Sequence, residues 1–485
     1  MRNQITRRRA LRAIGGLGMG ALAASCGSQT STQPTAAPGA TTAPAATSAP
    51  EATTAPAATT APSQAPVTLR WNVSDATEVP VMLEMGKAAA DAMAQKFPNL
   101  KIVPEPPPED NAQILTQMIA GNAPDVIGQC CDRLPLWASR GQLIKLDDYI
   151  ARDVTAAQIA DYPKAHWDAF ANPTFGRFAM PMYMGSIAMY YDKGAFEKKG
   201  LALPDDTWSW ELDGSGKYDQ AMKALTNKDN REWGIVLPTG IDRLQNKLIG
   251  NGANWVDPND NTKAVFDSPE ALAVFQREFD RTWTDGYGIA DAAREGMGWY
   301  ALMEAGRIHM FENGDWALTA MVETVKSTTW DVALIPKGPK ARNTLATTDG
   351  WVIYTKTQAP DMAWELLKYL QTDEWNNLMM SKGFIHPSRI SLFDKWVDIV
   401  KKSKPELADK NLGVFRQNIE IATPLQLFKN NPDATQIINE AIDATLKTGE
   451  SKDVKTAFTE AAKKVNEAQA RAGSLASAVD CGCSP

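Results

Sequence analysis

Residues 68–129, TLRWNVSDATEVPVMLEMGKAAADAMAQKFPNLKIVPEPPPEDNAQILTQMIAGNAPDVIGQ, alternate strand-like and helix-like patterns, and this alternation indicates the fold class. The runs at 68–73, 100–105 and 123–129 predict strands, and the runs at 82–97 and 111–122 predict helices. In the first helical run, apolar residues recur at helical spacing at Met82, Met85, Ala89, Met93 and Phe97. The order β-α-β-α-β indicates an α/β domain with a largely parallel sheet.

The loops that follow these strands are the first candidate positions for a binding site. Parallel sheets bind ligands at the carboxyl ends of their strands, which points to the loops after Val73 and Ile127. The second of these loops, Gln129–Arg133, contains two adjacent cysteines and Asp132. We expect Asp132 to offer a polar contact to a ligand there.

Residues 1–25 have the pattern of an export signal. Four arginines at positions 7, 8, 9 and 12 accompany an apolar run that ends at Ala24. This run is shorter than the about 20 residues that a membrane-spanning helix needs. The segment Leu22–Cys26 resembles a bacterial lipobox, which predicts a lipid anchor on Cys26. An ordinary secretory signal with a chance cysteine is the alternative, and the sequence leaves Sec or twin-arginine export open.

Residues 26–66 are predicted to be the lipidated cysteine and a stalk. The segment consists almost entirely of Ala, Thr, Pro, Ser and Gln, which cannot fill a hydrophobic core. Proline-rich chains are semi-extended, so this stalk would hold a globular domain away from a membrane surface. We expect an exported protein, anchored by lipid to the outer face of the cell membrane.

The charge balance excludes some partners. The 485 residues carry a formal net charge of −7, and the first 25 contain five arginines and no acidic residue. The mature part is therefore more acidic still. We expect no nucleic-acid partner, and membrane contact only through Cys26.

The cysteines after Cys26 come as two pairs, Cys130 with Cys131 and Cys481 with Cys483. Four cysteines allow three pairings, and the sequence does not choose among them. A local bridge between Cys130 and Cys131 and a tie to the C-terminal pair both stay open. None of the three histidines has zinc-ligand spacing near a pair, so we expect disulfides, no metal and no cofactor.

Several segments in order along the chain resemble the family 1 extracellular solute-binding proteins of ABC importers, most of which carry sugars. The matching segments are APDV (123–126), LWA (136–138), GQLIKLDDYI (141–150), AMYYDKGAF (188–196), GL (200–201), TW (207–208), EAGRIHM (304–310), GDW (314–316), ALIPKGP (333–339) and AWELLKYL (363–370). Each segment alone is a weak signal, but their order and spacing make the resemblance specific for the family. It does not identify the ligand.

The resemblance implies a two-lobe α/β fold of the periplasmic-binding-protein type (type II), with a hinge and an interlobe cleft. By analogy, the first lobe would contain residues 67–177 and 307–349. The second lobe would contain residues 178–306 and 350–485. We expect a monomer that works with the transmembrane subunits of an ABC permease.

Four tryptophans lie among glycine, asparagine and aspartate, where loops are expected: Trp255, Trp299, Trp316 and Trp351. An aromatic plane with nearby carboxylates suits a pyranose, which has C–H groups on its faces and hydroxyls at its rim. Asp315 and Asp349 would accept hydroxyl hydrogen bonds, and Tyr183 would reach the cleft from a crossing segment. The alternative for each tryptophan is that it covers a loop. Trp283, in a helical stripe with Phe275 and Phe279, is instead predicted to be core.

The expected mechanism is hinge closure around a carbohydrate, without covalent chemistry. The chain has no GxxxxGK[ST] segment, so ATP hydrolysis would occur on another subunit. A secreted glycan-active hydrolase is the main alternative, although neither GxSxG nor HExxH is present. A lipoprotein that binds a non-sugar solute such as a peptide is the third possibility.

Overall fold

The computed structural model of the protein describes residues 65–73, 79–108, 112–172, 175–383 and 385–480. The predicted export signal, Cys26, the stalk up to residue 64, Cys481 and Cys483 lie outside these residues. Across the described ranges, no helix is both long enough and apolar enough to span a bilayer.

The first part of the chain builds most of one sheet and its covering helices. Its elements are β1 (Val67–Asn72), α1 (Val79–Lys96), β2 (Leu100–Glu105), α2 (Ala112–Ala120), β3 (Val126–Cys130), α3 (Leu134–Ser139), α4 (Asp147–Asp153), α5 (Ala156–Ala160), α6 (Lys164–Asp168), β4 (Ala171–Asn172), β5 (Gly176–Arg177) and β6 (Met180–Pro181).

The middle of the chain builds a second sheet. Its elements are β7 (Gly185–Asp192), α7 (Lys193–Lys198), α8 (Lys217–Leu225), α9 (Ile241–Gly250), β8 (Val256–Asp257), β9 (Asp260–Ala264), α10 (Pro269–Phe279), α11 (Trp299–Glu304), β10 (Met310–Gly314), α12 (Ala317–Thr324), β11 (Trp330–Ala333) and β12 (Thr344–Thr347).

The last part returns to the first sheet and then to the second. Its elements are β13 (Asp349–Ile353), α13 (Pro360–Tyr369), α14 (Asp373–Leu378), α15 (Phe393–Ser403), α16 (Gly413–Glu420), β14 (Ala422–Thr423), α17 (Asn431–Ile442) and α18 (Val454–Asp480). A π-helical turn, Met379–Gly383, follows α14.

The first sheet has the strand order β2-β1-β3-β13-β6. Strand β1 pairs in parallel with β2 and β3, as the β-α-β-α-β pattern predicts, whereas β13 runs antiparallel between β3 and β6. Helix α1 packs its predicted apolar stripe inward, because Met82, Met85, Ala89 and Met93 are all buried. We call this sheet and its helices, residues 67–181 and 349–383, the first lobe.

The second sheet is built around β7, which pairs antiparallel with β10, β11 and β12. Strand β14 extends the sheet by pairing in parallel with β12. All eight residues of β7 are buried, as expected for a strand covered on both faces. Residues 185–347 and 390–480 form the second lobe, so the expected two-lobe α/β architecture is confirmed.

The strand pairing corrects the lobe boundaries expected from the sequence. The sequence predicts residues 307–349 in the first lobe, but β10, β11 and β12 all pair with β7 in the second. Residues 178–181 and 350–383 are predicted to lie in the second lobe, but β6 and β13 belong to the first sheet, and α13 and α14 pack Trp364 and Trp375 into the first core. The chain therefore crosses between lobes later than predicted, because the position of β13 depends on partners that are distant in sequence.

Three segments cross between the lobes: Met182–Met184, Thr348 and residues 385–389. The first and third of these segments are hydrogen-bonded to each other, and the first is also bonded to the first lobe. The amide of Met182 donates to the carbonyl oxygen of Asp349 at 2.8 Å, and the amide of Met184 donates to that of Pro387 at 3.0 Å. The first and third crossings are therefore joined in one hinge.

The C-terminal helix α18 closes the second core with its predicted face. Val454, Phe458, Ala461 and Val465 are buried, and Phe458 stacks on Phe275 with ring centroids 3.7 Å apart. The prediction for Trp283 is wrong, because this side chain is 37% exposed. Its position follows from the π-helical segment Asp280–Thr284, which ends the regular spacing of α10 after Phe279.

Candidate functional site

A cavity of about 490 Å³ lies between the lobes, at the carboxyl end of β3. The first lobe contributes Cys130 at the end of β3, Cys131 and Asp132 directly after it, and Asp349 at the start of β13. The second lobe contributes the start of α9, the residue before α12, the end of β12 and side chains from residues 425–439. Because both lobes form its walls, a ligand here would contact both.

The structure brings five predicted site residues to this cavity: Asp132, Tyr183, Trp255, Trp316 and Asp349. It places Trp299, Asp315 and Trp351 elsewhere. Trp299 begins α11 and its ring lies 5.8 Å from that of Phe311 in the second core.

Trp351 is part of the first core. It lies on β13 and is 0% exposed, with its ring centroid 5.5 Å from that of Trp71 and 6.2 Å from that of Trp375. A Cβ on Gly128 of the neighbouring strand would lie 2.6 Å from the indole carbon Cζ3, so the two strands meet closely at this ring. Trp351 therefore faces its own lobe and not the cleft.

Trp316 presents the aromatic surface of the cavity. It lies between β10 and α12 and is half-buried. Its ring folds back over Gly314, where a Cβ would overlap the indole carbons. The guanidinium of Arg243 lies 5.7 Å from the ring centroid. Trp316 thus presents an indole plane to the cavity, next to the positive charge of Arg243.

Arg243 is held by polar contacts at the start of α9. Its Nη1 donates to Asp242 Oδ2 at 2.5 Å, and its Nη2 donates to Asn313 Oδ1 at 3.5 Å. Its Nε is buried and has no hydrogen-bond partner among the described residues. The sequence analysis did not identify Asp242 and Arg243, since a single ion pair near a helix start is a common surface pattern.

Trp255 supports the cavity wall from behind. It is 0% exposed, and its ring packs against Phe266 and Phe275 with centroids 5.1 Å and 5.3 Å away. Its indole nitrogen donates to the carbonyl oxygen of Ile241 at 3.0 Å, and its amide donates to Gln426 Oε1 at 2.8 Å. These bonds position the two wall segments that begin at Ile241 and Leu425.

The polar side of the cavity is acidic. Within the described chain, the charged lining residues are Asp132, Asp242, Asp349 and Arg243. Burial and the charge of Asp349 raise the pKa of Tyr183, so its hydroxyl is a neutral donor. The hydrogen bond that the Cys130 thiol donates to Cys131, followed by burial and the nearby charges, raises the pKa of Cys130 well above its usual value. Both cysteines carry free thiols.

Asp315 belongs to the hinge. It is 1% exposed, and its Oδ2 accepts from the amide of His386 at 3.1 Å and lies 2.5 Å from the Nδ1 of that residue. The His386 ring packs on Trp396 with centroids 3.8 Å apart. Asp315 therefore links the second lobe to the third crossing segment.

The described residues contain no group of three or more His, Cys, Asp or Glu side chains that could hold a metal ion. The sequence analysis also missed the wall formed by residues 425–439, which includes Phe428, Asn431 and Asn439. This segment has no motif of its own, and its role depends on the packing of α17 against the second core.

The model of the bacterial extracellular solute-binding protein family matches residues 82–377 of this chain. A binding protein of Brucella abortus is 26% identical over 218 residues, which cover 43% of this chain and 50% of that protein. The maltotriose-binding protein of Pyrococcus abyssi is 23% identical over 313 residues, 61% of each chain. The chain thus spans about half to three fifths of these relatives.

Solved structures share the fold over most of the chain. An ABC substrate-binding protein of Listeria monocytogenes in complex with cycloalternan has a TM-score of 0.71 at 16% identity, covering 83% of this chain and 99% of that one. The sugar-binding protein MalE of Xanthomonas citri has a TM-score of 0.67 at 19% identity, covering 84% and 99%. Because the sequence identities are below 20%, this structural similarity establishes the two-lobe fold and nothing further.

Proposed function

This chain belongs to the bacterial extracellular solute-binding protein family, and on that premise we propose that it captures a carbohydrate between its lobes for an ABC importer. The observation that carries the proposal is the interlobe cavity, which combines the Trp316 indole with Asp132, Asp349 and Tyr183. Relatives that bind maltotriose and cycloalternan support this choice of solute class.

The lining chemistry fits a mono- or oligosaccharide. The accessible face of the half-buried Trp316 ring would pack on the C–H face of a pyranose, an arrangement that aromatic planes favour. Asp132 and Asp349 accept hydrogen bonds from sugar hydroxyls, and the neutral Tyr183 hydroxyl donates one. Trp255 would act indirectly, by holding the wall segments in place.

The charge of the lining would select among sugars. The cavity is lined by three carboxylates, Asp132, Asp242 and Asp349, and by one guanidinium, Arg243, so the charge of its lining is net negative. A uronic acid would add a negative charge near these carboxylates, whereas a neutral sugar would not. We therefore propose a neutral glycan, with anionic analogues bound at least tenfold more weakly.

Capture would proceed by hinge closure. A sugar that contacts both lobes in the closed form and one lobe in the open form shifts the equilibrium by its difference in affinity. The closed, loaded protein would then deliver its sugar to the permease subunits as a monomer. No covalent step is required, so the protein would carry its ligand unchanged.

We further propose that residues 1–25 direct export and that Cys26 anchors the protein by lipid. The Ala/Thr/Pro-rich segment up to residue 66 would then serve as the spacer between membrane and lobes. Mass spectrometry of the mature N-terminus tests this: a diacylglyceryl-modified Cys26 is expected, and an unmodified terminus elsewhere would contradict the anchor.

A thermal-shift screen tests the function. The chain from residue 67 onward is heated with neutral mono- and oligosaccharides, uronic-acid analogues, polyols and short peptides. A ligand at 100 times its dissociation constant stabilises the native form by about 2.7 kcal/mol, which is readily measured. We expect stabilisation by neutral glycans, with the glycan recovered intact. A response only to peptides, or cleavage of the glycan, would replace the proposal with one of the two alternatives.

A further inference from the structure

Two adjacent thiols lie in the wall of the interlobe cavity. Cys130 is the last residue of β3, and Cys131 begins the turn that follows. Both are partly exposed, both are free thiols, and both line the cavity beside Asp132 and Asp349. A reagent small enough to enter the cleft therefore reaches the wall that contains both cysteines.

We propose that Cys130 and Cys131 are a reversible redox site, and that joining them as a disulfide reshapes the cavity wall and weakens ligand binding. The binding part rests on the proposed function, whereas the redox part concerns the thiols alone. The two side chains already contact each other, since Cys131 is hydrogen-bonded to the Cys130 thiol.

The chemical step is a thiol–disulfide exchange with a small disulfide such as glutathione disulfide. The deprotonated thiol of Cys131 attacks one sulfur of the reagent and releases one thiol, which leaves a mixed disulfide. Cys130 then loses its proton and displaces the second reagent thiol. The two cysteines together lose two electrons and two protons, and the reagent gains both as two thiols.

The geometry explains why this bond would move the cleft wall. Adjacent Cα atoms are about 3.8 Å apart, closer than the about 4.4–6.8 Å of ordinary disulfides. The backbone between Cys130 and Cys131 must therefore change when the bond forms. Strained disulfides of this kind are also readily reduced, which makes the step reversible.

The displaced backbone carries two polar groups of the cavity. Asp132 follows directly, and Cys130 pairs across the sheet with Asp349. Gln129 braces the turn, because its Oε1 accepts from the amide of Cys130 at 2.9 Å and from Arg133 Nη1 at 3.1 Å. A shift at the cysteines thus moves the carboxylates that would bind a sugar.

Peptide mapping tests the redox site in the full chain. After treatment with glutathione disulfide and alkylation, trypsin releases residues 102–133 with both cleft cysteines and residues 472–485 with Cys481 and Cys483. We expect peptide 102–133 to lose two hydrogens without joining another peptide, and to recover them with a phosphine. Normal alkylation of both cysteines, or a link to 472–485, would overturn the proposal.

Hydrogen exchange and binding test the reshaped wall. In the oxidised chain we expect faster exchange over residues 129–133, and at least tenfold weaker binding of maltotriose or of the best glycan from the screen. Unchanged exchange, or affinities within twofold of each other, would overturn this part. A chain that binds no glycan in either state contradicts the proposed function, while mapping and exchange still decide the redox site.

Matched variants separate the two cysteine pairs. Cys481→Ser/Cys483→Ser should keep the full response to oxidation. Cys130→Ala/Cys131→Ala should show equal exchange and equal affinity under both conditions. A response that survives in the second variant and disappears in the first would assign the effect to the C-terminal pair and refute the proposal.

Discussion

Trp316 and Trp351 have opposite surroundings, although both follow a glycine or aspartate in loop-like sequence. Trp316 is half-buried at the cavity, whereas Trp351 is enclosed by Trp71 and Trp375 in the first core. One side chain is available to a ligand and the other stabilises a lobe. Their substitutions should therefore have different consequences.

We expect Trp316→Ala to weaken glycan binding at least tenfold while leaving the melting temperature of the ligand-free protein nearly unchanged. The variant removes the exposed indole plane but little of the core. Isothermal titration calorimetry and thermal unfolding measure the two effects. A large loss of ligand-free stability with unchanged affinity would instead show that Trp316 is a structural residue.

Trp351→Ala is the matched control, and we expect it to destabilise the protein by about 3–5 kcal/mol, the usual range for large aromatic-to-alanine changes in a core. Chemical denaturation measures this loss. Folded protein at low temperature should still bind the glycan, because Trp351 does not reach the cavity. A specific loss of affinity without loss of stability would contradict its assignment to the core.

His166 should make stability depend on pH. It is 0% exposed, and its Nε2 lies 2.7 Å from the carbonyl oxygen of Gly185. Burial lowers its pKa from 6.5 to about 4. Between these values the unfolded chain binds more protons than the native chain, so stability rises with pH. The contribution, about 3 kcal/mol at most, is present above pH 6.5 and is lost as pH falls to about 4.

His166→Gln tests this effect, because its side-chain amide can still donate to Gly185 but does not titrate. We expect the free energy of unfolding of the variant to fall less between pH 6.5 and pH 4 than that of the natural protein. Denaturant titrations at several pH values provide the comparison. Identical pH dependence in the two proteins would refute the role of His166.

Sequence alone could identify some cavity residues but not others. Asp132 follows a predicted strand at the edge where parallel sheets bind ligands, so its position was predictable. The residues around Trp351 have a loop-like composition that predicts a binding residue, yet they form β13. Arg243 and residues 425–439 reach the cavity through contacts that are distant in sequence, and no local pattern marks them.

At the scale of elements, the end of β10 determines the orientation of Trp316. Gly314 leaves the space that the indole ring occupies. We expect Gly314→Ala to displace the ring and weaken glycan binding at least fivefold while the protein stays folded. Titration calorimetry measures the affinity, and tryptophan fluorescence reports the changed environment of the ring.

Gly413→Ala is the control for this variant. At Gly413, the first residue of α16, the nearest atom to a new Cβ would be Asn411 Oδ1 at 3.9 Å. Alanine also favours the helix. We expect unchanged binding and equal or slightly higher stability. Equal affinity losses in both variants would mean that Gly314 does not act through Trp316.

The elements also show which parts of the fold a sequence can predict. Strands β1 to β3 and helices α1 and α2 follow from local apolar periodicity, and their parallel pairing follows from their order. Strand β13 is different, because it inserts antiparallel between β3 and β6. Its five residues contain no sequence pattern that predicts β3 and β6 as its partners. The lobe boundaries therefore could not be predicted correctly from the sequence.

At the scale of the whole molecule, the three crossings predict a change of shape on binding. A glycan that contacts both lobes should close them, so the radius of gyration should decrease when it is added. Small-angle X-ray scattering measures this change. Trp316→Ala should reach the same compact form, but only at higher glycan concentration. Binding without compaction would contradict hinge closure.

The return of β13 to the first sheet also affects the order in which the protein can assemble during synthesis. Strand β13, which pairs with β3, is synthesised roughly 220 residues after it. At ordinary rates of translation this corresponds to a delay of about 10–45 s. Until then the N-terminal half lacks the strand that joins β3 to β6. A nascent chain whose first lobe is incomplete can still cross a membrane pore in an extended form. That state would suit the export of a protein whose family works outside the cell.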